Sequence, residues 1–340
     1  MARPDLSAVT GWITSAALRD GARLPETLME RLAIGRRAAL ALLARLVAAQ
    51  WLVREGSARH PVWRPGVMKQ VVHRYALAGL QEDLPWQRDF APCFEVRPNV
   101  ARLAQQAFTE LLNNAIDHSG GTLATVSVRQ TALHLQILVS DDGCGVFERI
   151  ARHFAIDDPR LAMLELSKGK LTSQPAAHRG HGLFFTARLA DIFDVHANGH
   201  AFQFRGAGRR RWHAARPLMH EGTSAYAAIA LDTERTVDAV LRSHSADPDG
   251  YTFDTTQVTL GLLTGAATGL ESRAQARRVA QGLARFRRAE LDFSGLDDVG
   301  HAFADELFRV FARGEPGVQL VPLAMAPRVA AMVSAVQAAG

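Results

Sequence analysis

Apolar residues recur every three to four positions over residues 5–20, 26–33 and 36–50, and this spacing predicts three helices. Asp20-Gly21 breaks the first, and Pro25 opens the second, where its fixed φ suits a helix start. Leu40, Leu43, Leu46 and Val47 give the third its buried face. Trp51 to Gly56 and Val62 to Arg64 then read as short strands around a polar turn. Residues 67–97 read as a connector, part helical from Val67 to Leu80 and loose around Pro85, Pro92 and Pro98. A long helix starts near Asn99 and stops at Gly120-Gly121, as glycines past a helix end commonly dictate. Strands follow at Leu123 to Arg129 and Leu133 to Val139, then a helix near Leu161 to Leu166. The polar run Ser167 to Pro175 is expected to be a mobile lid. A helix from Leu183 to Ala190 and strands near Val195, Phe202, Trp212 and Ala225 complete a unit over 98–231. Its expected form is a two-layer sandwich, one mixed sheet with helices on one face. A helix over Thr233 to His244 lies in a linker, 232–250. Beyond it strand and helix alternate to the end of the chain, which predicts a small α/β layer unit over 251–340. The fold class is α/β (α+β), in three units.

Composition narrows the class. With 48% apolar and 21% charged residues, the 340-residue chain reads as globular. No apolar run approaches the roughly 18 to 20 residues of a membrane span, and the N-terminus lacks a signal-peptide pattern, so a cytoplasmic location is expected. Two cysteines, Cys93 and Cys144, are too few for a disulfide framework. Residues 1–74 hold twelve Lys or Arg against five acids, so this segment carries +7 of a net +5 and the remainder −2. A basic segment on a near-neutral body points to an acidic partner, nucleic acid first.

The candidate chemistry begins on the long helix. Glu110 and Asn114 stand four residues apart and share one face. There the carboxylate can handle a proton while the amide oxygen suits Mg²⁺, a hard cation that takes oxygen ligands. Asp141-Asp142-Gly143-Cys144-Gly145 then leaves the end of an apolar strand. Its glycines let backbone approach a flat ring, and Asp141 can accept a hydrogen bond from an exocyclic amine. Together these are the parts of an ATP site.

At these residues the sequence resembles the GHKL superfamily of ATPases and kinases, which includes gyrase, heat-shock 90, histidine kinases and mismatch-repair ATPases. Arg179-Gly180-His181-Gly182-Leu183 is similar to the family's second glycine box, and Gly222-Thr223 to its last nucleotide-side motif. Many members carry a third glycine where Phe184 and Phe185 stand here. The resemblance implies ATP and Mg²⁺ as cofactors. It makes Glu110 the general base, Asn114 the Mg²⁺ ligand and Asp141 the partner of the adenine amine. It gives Gly143, Gly145, Gly180 and Gly182 close backbone approach, with His181 inside the second box and Thr223 beside the adenine. Asp117 and His118 match the family spacing, Asp117 as a binding residue and His118 read as structural. Lys168, Lys170 and Arg179 either meet phosphates or form a solvated charge run. The pairs His178/His181 and His196/His200 lack Cys or carboxylate companions and are not read as a zinc site.

The flanking units resemble known modules too. Three helices closing on a hairpin look like a winged helix-turn-helix. On DNA, Arg36 and Arg37 would enter at the start of the recognition helix, while Arg54, Arg59 and Arg64 would grip phosphates. Against this, the third helix is mostly Ala and Leu, with few side chains able to read bases, and many winged helices dock proteins or dimerise. Ser272 to Arg278 and Leu291 to Phe311 resemble the STAS-like domain that follows GHKL domains in bacterial regulators. In the antagonists of that family a serine at a strand-to-helix junction accepts phosphate. The matching point, Gly300-His301-Ala302, has no serine, and Ser294 lies earlier, so a docking role is expected.

Four readings follow: an ATP-dependent regulator, an anti-sigma-type serine/threonine kinase, a histidine kinase core, and a DNA-binding or scaffold protein with a structural nucleotide site. The third is weakest, because His73 is the only nearby phosphoacceptor candidate. A homodimer is implied by resemblance alone.

Overall fold

Three helices, α1 (Ser7–Asp20), α2 (Leu24–Leu32) and α3 (Arg36–Ala48), close on an antiparallel hairpin of β1 (Leu52–Gly56) and β2 (Pro61–Pro65) in the computed structural model. The structure describes residues 5–171, 180–205, 210–247, 249–264 and 269–339; Arg3, Thr172 to Pro175 of the expected lid, His178 and Arg179 lie outside them. The helices and hairpin have a core of their own, centred on Ile13, Leu28, Leu42, Leu46 and Trp63.

The first correction falls at residues 67–80, which form no helix. They contain a strand, β3 (Lys69–Ala76), in which Val71 and Tyr75 are buried while Val72 and Arg74 are exposed. That period of two is a strand's, and two adjacent β-branched valines favour it. β3 pairs with β4 (Leu123–Gln130) along its whole length, so the expected connector supplies an edge strand of the central sheet. Helix α4 (Asp83–Pro85) and the π-helical turn after it, Trp86–Phe90, bury Trp86 and Phe90 against Phe108.

The central unit continues with α5 (Pro98–His118), β4, β5 (His134–Asp141), α6 (Val146–Phe154), α7 (Pro159–Lys168) and α8 (Gly182–Leu189). Strands β6 (Ile192–Ala197), β7 (His200–Arg205), β8 (Arg211–Ala215) and β9 (Thr223–Ala230) complete it. The sheet order is β3-β4-β5-β9-β6-β7-β8. The sheet is antiparallel throughout, not mixed. Because β9 is antiparallel to both β5 and β6, those two run parallel, as their helical crossover requires. The parallel pair exists, but β9 lies between its members.

Helix α9 (Val237–Arg242) is shorter than the expected 233–244. The carbonyl of Thr233 instead accepts hydrogen bonds from Arg97 and Asn99. The C-terminal unit holds β10 (Thr255–Thr259), α10 (Arg273–Ala280), β11 (Arg288–Asp292), α11 (His301–Asp305), α12 (Ala312–Gly314), β12 (Gln319–Leu323) and α13 (Pro327–Ala338). A π-helical stretch over 306–311 joins α11 to α12. Its three strands are parallel in the order β10-β11-β12. Ser272 caps α10 through a reciprocal pair with Gln275, satisfying donors that a helix start leaves open. Its core, around Val258, Leu291 and Phe303, is continuous with that of the central unit. Among the described residues, no helix is long and apolar enough to cross a membrane.

Candidate functional site

Between α5 and the sheet lies a cavity of ≈ 380 Å³, within the roughly 300–1,000 Å³ usual for small-molecule sites. Val139, Val195 and Ala225 from neighbouring strands, with Ile150 and Leu166 from the helices, give it apolar walls. Asp141 lines the same cavity because of register. Leu135, Ile137 and Val139 of β5 face inward in alternation, and Asp141 takes the next inward place.

Two backbone groups orient that carboxylate. The amides of Gly143 (2.9 Å) and Thr223 (3.1 Å) both donate to Asp141 Oδ1, leaving Oδ2 for a ligand. Burial pushes the acid up from its ordinary range, and the two amides oppose the shift. Thr223 also accepts the Val146 amide at 2.9 Å, tying the β9 start to the α6 start. Asp142, next in sequence, faces away and does different work. It accepts from the amides of Leu123 and Thr122 and from the Thr122 hydroxyl, bonds that hold its pKa low and fix the turn between α5 and β4.

The other wall is the polar face of α5, where Glu110, Asn114, Asp117 and His118 line the cavity. One turn before Glu110, the side-chain amide of Gln106 donates to Glu110 Oε1 at 2.9 Å and fixes the carboxylate's rotamer. Gly180, His181 and Gly182 close the same end. A Cβ at Gly182 would stand 2.5 Å from Glu110 Oε2, so a side chain there would push that carboxylate from its place.

The structure thus brings Glu110, Asn114, Asp117, Asp141, Gly180, His181, Gly182 and Thr223 around one cavity. Gly143 and Gly145 are not among the residues that line it. At Gly145 (φ +84°) a side chain would collide with Asn198, whose amide also donates to the Cys144 carbonyl at 2.9 Å. The glycine there makes room for this protein contact. The lysines are corrected as well. Ser167 and Lys168 belong to α7, and Lys168 is 2% exposed, its ammonium held by Glu165 (2.6 Å) and the Gln281 carbonyl (2.7 Å). Lys170 donates to the Arg285 carbonyl and lies over the Phe286 ring. Both lysines reach the C-terminal unit, away from the cavity.

Sequence reasoning missed α6 and with it Arg149, a cationic side chain in the lining. The signal was present: Phe147, Ile150 and Phe154 recur at helical spacing. Ser294 is half-buried, its hydroxyl and amide both directed to the Asp292 carboxylate. Arg36, Arg37, Arg54, Arg59 and Arg64 are all exposed. Arg54 and Arg64 fall on opposite faces of the hairpin, since Arg64 lies across from Val53 and Arg54 across from Trp63. Arg64 also stands 3.7 Å from Glu55.

The donor set suits a nucleotide with a hard cation. Among the described residues no group of three His, Cys, Asp or Glu could cage a metal. Mg²⁺ commonly needs only one or two protein oxygens when phosphates supply the rest. Residues 99–207 match the family model of histidine kinase-, DNA gyrase B- and HSP90-like ATPases, and residues 275–329 that of a STAS-like domain of unknown function. No curated protein matches the chain. The chain therefore contains a GHKL-type ATPase domain followed by a STAS-like domain.

Proposed function

We propose that this chain binds Mg²⁺-ATP in the cavity and hydrolyses it, as a regulatory ATPase whose flanking units carry the output. One observation carries the reading. A buried carboxylate with one oxygen pinned stands at the end of an apolar cleft, facing a helix that presents Glu110 and Asn114. Asp141 accepts from the adenine amine, and Val139, Ile150 and Val195 offer apolar surface to the ring. Glu110, held by Gln106, takes the proton of the attacking water. Asn114 offers its amide oxygen to the cation, which supplies positive charge against that of the phosphates, and Asp117 lines the cavity beside it. A protein hydroxyl in place of water would make the same site a kinase.

Labelled ATP separates the outcomes. Phosphate release alone supports the ATPase. Label on the chain or on an added protein supports the kinase, and binding without turnover supports a scaffold. Asn114→Ala is expected to abolish the Mg²⁺-dependent part of nucleotide affinity, read by titration with and without the cation. Affinity that still rises on adding Mg²⁺ to the variant would remove Asn114 from that role.

For the N-terminal unit the proposed partner is DNA, on the strength of exposed Arg36 and Arg37 at the start of α3. Replacing both with Ala should weaken DNA retention and flatten its salt dependence by about two units of slope. An unaltered slope would direct attention to a protein partner.

A further inference from the structure

The glycine box at the closed end of the cavity is built against the C-terminal unit. His181 lines the cavity, and its ring meets the ring of Phe253 edge-on at 4.7 Å. Phe253 is 7% exposed and stands just ahead of β10. It also touches Phe184 (4.5 Å) and Phe185 (5.0 Å), the two residues that replace the expected third glycine. Phe286 lies one ring further away, packed on Phe253 at 5.4 Å.

The end of α7 and the chain just after it are fastened to the same unit. Thr256 donates its hydroxyl to the Lys168 carbonyl (2.9 Å), and Arg285 donates to the Lys170 carbonyl (2.9 Å). On the other side of His181, Gly182 abuts Glu110 Oε2. A line of direct contacts therefore runs Phe253, His181, Gly182, Glu110, from the C-terminal unit to the carboxylate assigned as base.

We propose that Phe253 is a positioning residue of the nucleotide site, acting through His181 to hold the Gly180–Gly182 turn against Glu110. Docking of the C-terminal unit and occupancy of the cavity then depend on one another. This rests on the nucleotide reading above. Coupling between two sites is reciprocal: if the docked unit favours nucleotide, nucleotide favours the docked unit by the same factor.

The test uses the full chain with Mg²⁺, a non-hydrolysable ATP analogue for binding and ATP itself for turnover, and the variants Phe253→Leu, Phe253→Tyr and Phe286→Leu. Phe253→Leu should weaken analogue binding by roughly tenfold, inside the usual range of coupling, and lower kcat. Phe253→Tyr, which keeps the ring, should restore both. Phe286→Leu should lower the melting temperature comparably while leaving affinity unchanged. Amide exchange over 255–259 and 288–292 should slow when the analogue binds the wild-type chain, a readout that stands whether or not the Leu variant folds. Wild-type binding with no change in that exchange, or with affinity unchanged in Phe253→Leu, overturns the coupling alone. A wild-type chain that ignores the analogue overturns the nucleotide reading, and this proposal with it.

Discussion

Replacing Glu110 with Ala is expected to leave ATP affinity within a few-fold of wild type and to cut turnover by about 10²- to 10⁴-fold, the contribution of a positioned general base. The geometry makes the separation clean. Glu110 is half-buried on α5, with Oε1 fixed by Gln106 and Oε2 beside Gly182. Truncation removes the proposed proton acceptor and leaves the apolar walls and Asp141 in place. The Gln106 amide, also half-buried, can turn to water, so the fold should lose little. Single-turnover phosphate release with saturating ATP, beside calorimetric binding, reads the two quantities separately. Turnover near the wild-type rate would put the base elsewhere.

Asp141→Asn is expected to cost about 10- to 100-fold in ATP affinity, the equivalent of one hydrogen bond to a charged group. Asn can keep its oxygen on the Gly143 and Thr223 amides, so the turn survives. Its NH₂ then occupies the place of Oδ2 and meets the adenine amine donor to donor. The same change presents a donor to a 6-oxo purine, so relative affinity for GTP should rise. pH gives a second signature. Because burial raises Asp141 above an ordinary carboxylate, falling pH protonates it early and turns the acceptor into a donor. Wild-type affinity should be full at high pH and fall as pH drops through that raised value, with the Asn variant flat over the same step. Titrations across pH with ATP and GTP decide it. A variant that keeps wild-type affinity and base preference would show that Asp141 does not read the base.

The helix carrying Glu110 and Asn114 was legible because a 21-residue helix with a 3.6-residue apolar repeat leaves little room for another reading. Asp141 was legible because it interrupts an inward apolar series at a strand end. What sequence could not supply was direction and neighbour. From sequence Lys168 fits a phosphate contact or a solvated charge, yet its burial depends on carbonyls of Arg278 and Gln281, more than a hundred residues away. Two aspartates stand side by side, and only the pleat decides that Asp141 faces the cavity while Asp142 holds a turn. The antiparallel sheet was missed because a crossover shows that β5 and β6 run parallel, and nothing local shows that β9 returns between them. The short apolar run around Val71 and Val72 suits a helix by local pattern as well as a strand, which hides β3 from a local reading.

That strand also limits how the chain can be divided. Gly11 lets α1 lie within van der Waals reach of Val72, and the buried Thr14 hydroxyl accepts the Gln70 amide at 3.1 Å, on the outer side of β3. The first helix is thus the shield of the sheet's open margin, hiding main-chain donors that would otherwise recruit a foreign strand. A fragment cut at residue 66 would keep the margin and discard its cover, so any self-association it showed would report the cut.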